Sequence, residues 1–375
     1  MRIGILRLNC GEFGKIGSYN VQETGLARAL CEYTGELPYV FYLNKDVEKP
    51  ETDLESGRVV YLPHRGIGVH GIFDTGLLDA YDLQGMIVFS DNQFWQNHVI
   101  HYCEKRSIPC VCYWGGVLSQ KASIVKQLFT VGILIKNWRS YHKCINIAKT
   151  NAVYAKMRRF RIPVTSVVHV GLDETLLQDV EHYNKEEARR DLGLGSGRIL
   201  LYVGRMVANK RPIEALRLFE KMADEDPALQ LVLIGEGHLA QTLREMIQNS
   251  RFKDRVRYEG AVAYRQMYRY YVAADVLINL CSVEIFGMAI LEAMYYGCIP
   301  VVMQAPGPCE YIVHAQNGYI SQTSDDGQWR ENIRAALQSG ADIRRNAHET
   351  IVRNYLWRNS AVAFFEKLNE KGKNA

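Results

Sequence analysis

Two carboxylates, Glu284 and Glu292, bracket the run Glu284-Ile285-Phe286-Gly287-Met288-Ala289-Ile290-Leu291-Glu292. At Phe286-Gly287 the missing Cβ lets the backbone come close to a ligand. Met288 to Tyr295 is rich in good helix formers, so a helix is expected to open at that step. Its first amides lack intrahelical partners and suit an anionic group such as a phosphate. Glu284, on the loop, is then placed to accept hydrogen bonds from sugar hydroxyls. Glu292, just over one turn into the helix, is placed to chelate a vicinal diol such as a ribose. Two glutamates at this spacing are equally what a loop carboxylate and a solvated helix face look like, so the rest of the chain has to decide.

Cations supply the complementary chemistry. Arg198 to Val203 reads as a short buried strand, followed by Gly204-Arg205, Lys210 and then Pro212 at a helix start. A guanidinium takes phosphate oxygens bidentately and an ammonium adds a compact charge beside it. Arg205 and Lys210 thus put two cations at the carboxyl end of a strand, where an anionic ligand such as a phosphate is expected, and preorganised charge of this kind can act without a metal. Asp224-Glu225-Asp226 has the spacing of a metal-binding Asp-x-Asp, but it sits at a helix end before Pro227 and is expected to be a solvated cap. No metal or cofactor is expected.

The elements that position these groups follow from apolar periodicity. Arg198 to Val203, Leu229 to Gly235, Val256 to Gly260, Val276 to Leu280 and Ile299 to Met303 are apolar runs separated by helical patterns, the signature of a doubly wound parallel sheet. Ligands of such sheets bind outside the carboxyl ends of the strands. The first half has its own set: Arg2 to Leu8, Pro38 to Leu43, Arg58 to Leu62, Met86 to Ser90, Ile108 to Tyr113 and Ser166 to Val170. With 375 residues, 47% of them hydrophobic, the chain is long enough for two cores. The expected division is 1–170, 171–354 and a terminal helix over 355–375.

Val203-Gly204-Arg205 with Lys210, Leu233-Ile234-Gly235-Glu236-Gly237, Val256 to Gly260, the Glu284 to Glu292 run, Gly307-Pro308-Cys309-Glu310 and Asn317-Gly318-Tyr319 recur in order. Together they resemble the retaining nucleotide-sugar glycosyltransferases of family 4. The resemblance is sharp over roughly 198 to 320 and diffuse before it. It implies a GT-B fold, two Rossmann-like domains facing each other across a cleft. It also implies a C-terminal helix that crosses back to the first domain. Donor-binding candidates are Gly17, Gly204, Val262 (through its backbone, near the base), Phe286, Gly287, Met288 and Glu292, with Arg205, Lys210 and Glu284 at the reacting end. Gly14 also belongs to the first loop. Tyr19 and Asn20 are candidates to face the acceptor. The family commonly has His-Gly or His-Asp after the strand matching Ile108 to Tyr113, whereas this chain has Trp114-Gly115-Gly116. Trp114 is therefore expected to stack on a sugar ring, with Asp91 or Gln93 touching acceptor hydroxyls. His98 and His101 read as partly exposed helix histidines, and His169 as structural.

Charge is unevenly placed. Between Lys105 and Leu172 there are twelve Lys and Arg and no carboxylate, although the whole chain carries only +4, so the remainder is net acidic. Such asymmetry speaks about partners. Ile124 to Tyr141 mixes apolar residues with Lys126, Lys136 and Arg139, as expected for an amphipathic helix on an anionic bilayer. No nucleic-acid motif accompanies the charge, so nucleic acid is not an expected partner. Nine cysteines, with no Cys-x-x-Cys pair, are expected to be thiols of a cytoplasmic protein. No leader and no spanning apolar run is read. The expected activity is retaining transfer of a sugar from a nucleotide-diphosphate sugar to a glycan or lipid-linked acceptor, in cell-envelope or exported polysaccharide synthesis, at the inner face of the membrane. A GT-B epimerase or phosphorylase, or a catalytically silent glycan-binding or partner subunit, is the alternative. The silent subunit is disfavoured because Arg205, Lys210, Glu284 and Glu292 are all retained.

Overall fold

Apolar runs in both halves of the chain become parallel strands. The computed structural model describes residues 1–10, 22–53, 58–89, 91–118, 124–180, 183–323 and 325–372. They divide into one unit of Met1–Glu174 with Leu356–Ala375 and another of Thr175–Tyr355.

The strands of the first unit are β1 (Ile3–Arg7), β2 (Tyr39–Asn44), β3 (Glu51–Asp53), β4 (Val59–Pro63), β5 (Arg65–Ile67), β6 (His70–Ile72), β7 (Gly85–Phe89), β8 (Cys110–Trp114), β9 (Ile145–Ala148) and β10 (Ser166–Val167). Its main sheet runs β10-β9-β8-β7-β1-β2-β4-β3, with β5 and β6 a separate hairpin. Pairing is parallel except where β3 lies antiparallel on β4. Six of these strands coincide with the expected runs, the last being shorter. Strand β9 escapes a reading by pattern because Asn146 interrupts its four residues. That Asn146 is fully buried, donating to the Tyr141 carbonyl and accepting from the Trp114 indole, so its polarity is satisfied inside the core. Helices α1 (Gln22–Thr34), α2 (Gln96–Lys105), α3 (Ile124–Tyr141) and α4 (Asn151–Arg159) accompany the sheet.

The second unit carries β11 (Arg198–Val203), β12 (Leu229–Ile234), β13 (Val256–Gly260), β14 (Val276–Asn279), β15 (Ile299–Met303) and β16 (Tyr319–Ser321) in the order β13-β12-β11-β14-β15-β16. Its helices are α5 (Lys185–Leu192), α6 (Pro212–Ala223), α7 (Ala240–Asn249), α8 (Met267–Ala273), α9 (Met288–Tyr295), α10 (Asp326–Gln338) and α11 (Ala341–Asn354). All five expected strands are present, and β16 extends the edge. The order turns back between β11 and β14, and in the first unit between β1 and β7. A crevice forms at such a reversal, outside the carboxyl ends of the strands. On the opposite edge Asp275 draws in Lys185 and Arg189, each at 2.7 Å, which ties α5 to the sheet.

The last helix, α12 (Trp357–Gly372), belongs to the first unit and packs on α1 and β8. Trp357, Phe364 and Leu368 are buried there. Gly25 of α1 makes room for the Trp357 ring, since a Cβ would lie 2.5 Å from it. The Trp357 amide bonds the Leu172 carbonyl at 3.0 Å, and Arg28 pairs with buried Asp173. These contacts carry the first unit through Glu174.

Candidate active site

At the reversal in the second unit, the loops after β11 and β12 are laced together. The Met206 amide donates to the Glu236 carbonyl at 2.9 Å, and the Leu239 amide to the Met206 carbonyl at 3.0 Å. Gly235 has φ +134, and a Cβ there would collide with the Gly204 carbonyl oxygen, so only glycine lets the two turns stack. This stack fixes where Arg205 emerges, exposed, one residue past Gly204.

Lys210 ends a single helical turn, Ala208–Lys210, capped by Arg211 in the left-handed region. The Tyr202 hydroxyl holds the Lys210 carbonyl at 3.1 Å, and the Lys210 ammonium reaches Glu284 Oε2 at 2.5 Å. Asn279, at the end of β14, approaches the same oxygen at 3.4 Å. Glu284 is held from behind, its carbonyl accepting from Gly307 N at 3.0 Å. Phe286 is buried and its carbonyl accepts from the Tyr311 hydroxyl at 2.7 Å. Gly287 follows at φ +88 and opens α9 at Met288, as expected. Gly204, Arg205, Lys210, Glu284 and Gly287 thus lie on the loops that follow β11 and β14, the two strands flanking the reversal. Val262 stands past the end of β13, half-buried.

Glu292 takes a different place. It is buried in α9, with Oε2 accepting from the Tyr271 hydroxyl at 2.7 Å, while Oε1 is buried and finds no hydrogen-bond partner among the described residues. Burial raises its pKa and the Tyr271 hydrogen bond partly offsets the rise, leaving it at about 7. The carboxylate lines a small, partly open pocket with Tyr264, Met267, Tyr268, Tyr271 and Tyr296. A buried carboxylate oxygen without a partner is costly, and a ligand hydroxyl would satisfy it. Asp224 caps the end of α6 and, like Glu225, is exposed, as expected; the three carboxylates also pair with Arg251, with Arg330 and Arg334, and with Arg198. Among the described residues no three His, Cys, Asp or Glu side chains are grouped closely enough to hold a metal ion.

Residues 184–353 match the family described as Glycosyl transferases group 1. A GDP-mannose:cellobiosyl-diphosphopolyprenol alpha-mannosyltransferase of Xanthomonas campestris is 31% identical over 194 residues, which cover 50% of each chain. The chain thus spans about half the length of this curated relative. Among solved structures, sucrose-phosphate synthase from Thermosynechococcus elongatus superposes with a TM-score of 0.78 at 15% identity, covering 100% of both chains. HepE of Anabaena in complex with UDP gives 0.73 at 17%, again over 100% of both. The fold is GT-B. The group 1 match lies within the second unit, and the resemblance to family 4 is borne out.

On the first unit two expected acceptor residues are corrected. Trp114 is fully buried, its indole N–H on Asn146 at 3.0 Å and its ring against Tyr141, so it cannot stack on a sugar. Gln93 is also buried, with Oε1 at 2.7 Å from Nδ1 of His70, so it acts on a neighbour rather than on a ligand. Asp91 is exposed; its Oδ1 accepts from Gly115 N at 2.6 Å and Gly116 N at 3.1 Å, which aims the carboxylate. Gly14, Gly17, Tyr19 and Asn20 lie outside the described residues. His169 bonds the Lys149 carbonyl at 3.1 Å, and His98 stacks on Trp95.

Lys149 was not legible as a site residue. It follows β9, and its ammonium reaches Gln22 Oε1 at 3.1 Å beside the Tyr113 ring. Burial lowers its pKa, Asp91 and Glu23 oppose that, and Arg7 reinforces it. The one available signal was its position directly after a short apolar run.

Helix α3 spans the expected residues but is not simply amphipathic. Ile133, Leu134, Asn137 and Tyr141 face inward, while Ile124, Val125, Leu128, Phe129 and Ile135 are exposed, Ile124 at 77% and Ile135 at 72%. It is apolar on two opposite sides. No described helix is long and apolar enough to cross a membrane.

Proposed function

We propose that the chain transfers a sugar from a nucleotide-diphosphate sugar onto a glycan or lipid-linked acceptor. The observation that carries this is the Lys210–Glu284 pair beside Arg205, set at the strand reversal next to the opening of α9. The diphosphate lies against Arg205, Lys210 and the first amides of α9, and the transferred sugar meets Glu284. Ribose hydroxyls meet the unpartnered oxygen of Glu292, and the backbone around Val262 lies against the base. The two cations stabilise the charge that develops on the leaving phosphate, so the reaction needs neither metal nor cofactor. No side chain is assigned as nucleophile. In same-face attack the leaving phosphate oxygen takes the acceptor proton, and configuration is retained.

A lipid-linked acceptor is supported by the two-sided α3 and by the cations around it, including Lys126 and Arg139, both exposed. The exposed face lies on an anionic bilayer at its cytoplasmic side, and the role is envelope or exported polysaccharide synthesis, without a nucleic-acid partner. The relative from Xanthomonas is named for a diphosphopolyprenol acceptor, which agrees with this choice.

The test is a thermal-shift screen over UDP-, GDP- and ADP-sugars, followed by NMR of the product. Ligand at about 100 times its Kd stabilises by about 2.7 kcal/mol. A stabilising nucleotide sugar, chelator-insensitive turnover and a retained anomer are expected. An inverted anomer or strict dependence on added magnesium or manganese would overturn the mechanism. Binding without any turnover would favour the silent subunit.

A further inference from the structure

At the strand reversal of the first unit, between β1 and β7, the loop after β7 meets the hairpin β5–β6. Asn9, just past β1, bridges His70 at the start of β6. His70 is half-buried, its Nδ1 lies 2.7 Å from Gln93 Oε1, and its ring centroid is 5.7 Å from that of Phe129 on α3. Phe129 is 52% exposed and Val69, at the hairpin tip beside His70, is 43% exposed. The outward apolar face of α3 therefore runs up to an imidazole seated at a ligand-binding edge.

The inward face of α3 builds the other side of that imidazole. Asn137 donates to the Gln93 carbonyl at 2.8 Å. Asn92 donates to the Thr130 carbonyl at 2.9 Å and accepts from the Tyr141 hydroxyl at 2.9 Å. One helix thus fixes the loop whose Gln93 orients His70. Nδ1 lies 2.7 Å from Gln93 Oε1 and 3.4 Å from the Phe94 amide, and the nearer partner, an amide oxygen that can only accept, assigns the ring proton to Nδ1. Burial lowers the His70 pKa, with Gln93 opposing, so the ring is neutral near pH 7 and presents the Nε2 lone pair. Among the described residues Nε2 makes no hydrogen bond.

We infer that His70 binds a hydroxyl of the acceptor head group, and that the acceptor is an amphiphile whose apolar chain leaves along Phe129 and the outward face of α3. This rests on the glycosyltransferase reading above and narrows its acceptor to one class. Gln93 is the positioning residue. The occupant of the α3 face is the acceptor's hydrocarbon chain rather than a protein, because the face ends at a polar group placed to receive a head group, and Lys126 and Arg139 on the same helix are exposed and suit the anionic groups of a lipid.

The experiment compares acceptor KM for octyl and methyl glycosides of glucose, mannose and cellobiose, using the full chain and the nucleotide sugar it turns over. His70→Asn should keep the bond to Gln93 and lose Nε2, raising acceptor KM about tenfold, the scale of one lost hydrogen bond, against a smaller change in sugar-donor KM. His70→Gln, whose amide oxygen reaches the Nε2 position, should recover part of the loss. Phe129→Ser should raise the octyl-to-methyl KM ratio about tenfold, the scale of two buried methylenes. Unchanged acceptor KM in His70→Asn, equal changes in both substrates, or a Phe129→Ser effect that ignores chain length would each overturn the inference alone. If the unsubstituted chain turns over no nucleotide sugar, the underlying reading falls with it.

Discussion

Lys210 and Glu284 are 74 residues apart in sequence and 2.5 Å apart in space, joined across the strand reversal of the second unit. Each offsets the other's charge, and on the proposed reading a substrate gives the ammonium a phosphate and the carboxylate a set of hydroxyls. The pair is partly buried, so losing one partner leaves the other poorly compensated.

Arg205→Ala and Lys210→Ala should each lower kcat by about a hundredfold, the scale for removing one preorganised charge. Steady-state kinetics with and without chelator measure this. Glu284→Ala should spare the affinity for free nucleotide diphosphate and weaken that for the nucleotide sugar; equal losses for both ligands in titration calorimetry would contradict the assignment.

Glu292 gives a pH signature. Its folded pKa of about 7 lies above the ordinary glutamate value of about 4.5, so the native state holds the proton more tightly than the unfolded chain. Its contribution to stability is complete below the unfolded value and is lost as pH rises through about 7. Glu292→Gln should flatten the fall in Tm between about pH 5 and pH 8 without ligand. A parallel pair of Tm curves would show that the carboxyl is not titrating there. Glu292→Ala should also weaken free nucleotide, since the ribose contact is lost.

Truncation after Tyr355 removes α12, including buried Trp357, Phe364 and Leu368. At about 1.5–3 kcal/mol for each large apolar side chain, the loss approaches the whole stability of a domain. The first unit should unfold and transfer should cease, while Thr175–Tyr355 still binds nucleotide. Calorimetry and limited proteolysis would detect this, and full turnover by the truncated chain would refute it.

Ile124→Ser, Leu128→Ser and Ile135→Ser together should abolish flotation with anionic vesicles and leave the Tm nearly unchanged, because these side chains are exposed. Lys126→Gln and Arg139→Gln should each weaken binding to anionic vesicles by about 1 kcal/mol and leave neutral vesicles unaffected. Wild-type flotation of the triple variant would remove the membrane role of α3.

Strand runs, helix starts and motif order are legible in the chain because local pattern encodes them. Apolar runs marked the strands of the second unit, Gly287 marked the start of α9, and the order Gly204, Lys210, Glu284, Glu292 marked the group 1 domain. These follow from backbone conformation and burial, which depend on neighbours in the chain. Side-chain partnership does not. Folding alone sets Trp114's indole on Asn146, Gln93 on His70, and Asp224 to Asp226 on arginines. Lys149 and His70 stayed invisible because nothing in their own neighbourhoods distinguishes them from ordinary loop and hairpin residues. Their chemistry comes from groups that the folded sheet edge brings beside them, and a buried polar atom takes its role from whichever partner packing leaves within hydrogen-bond reach.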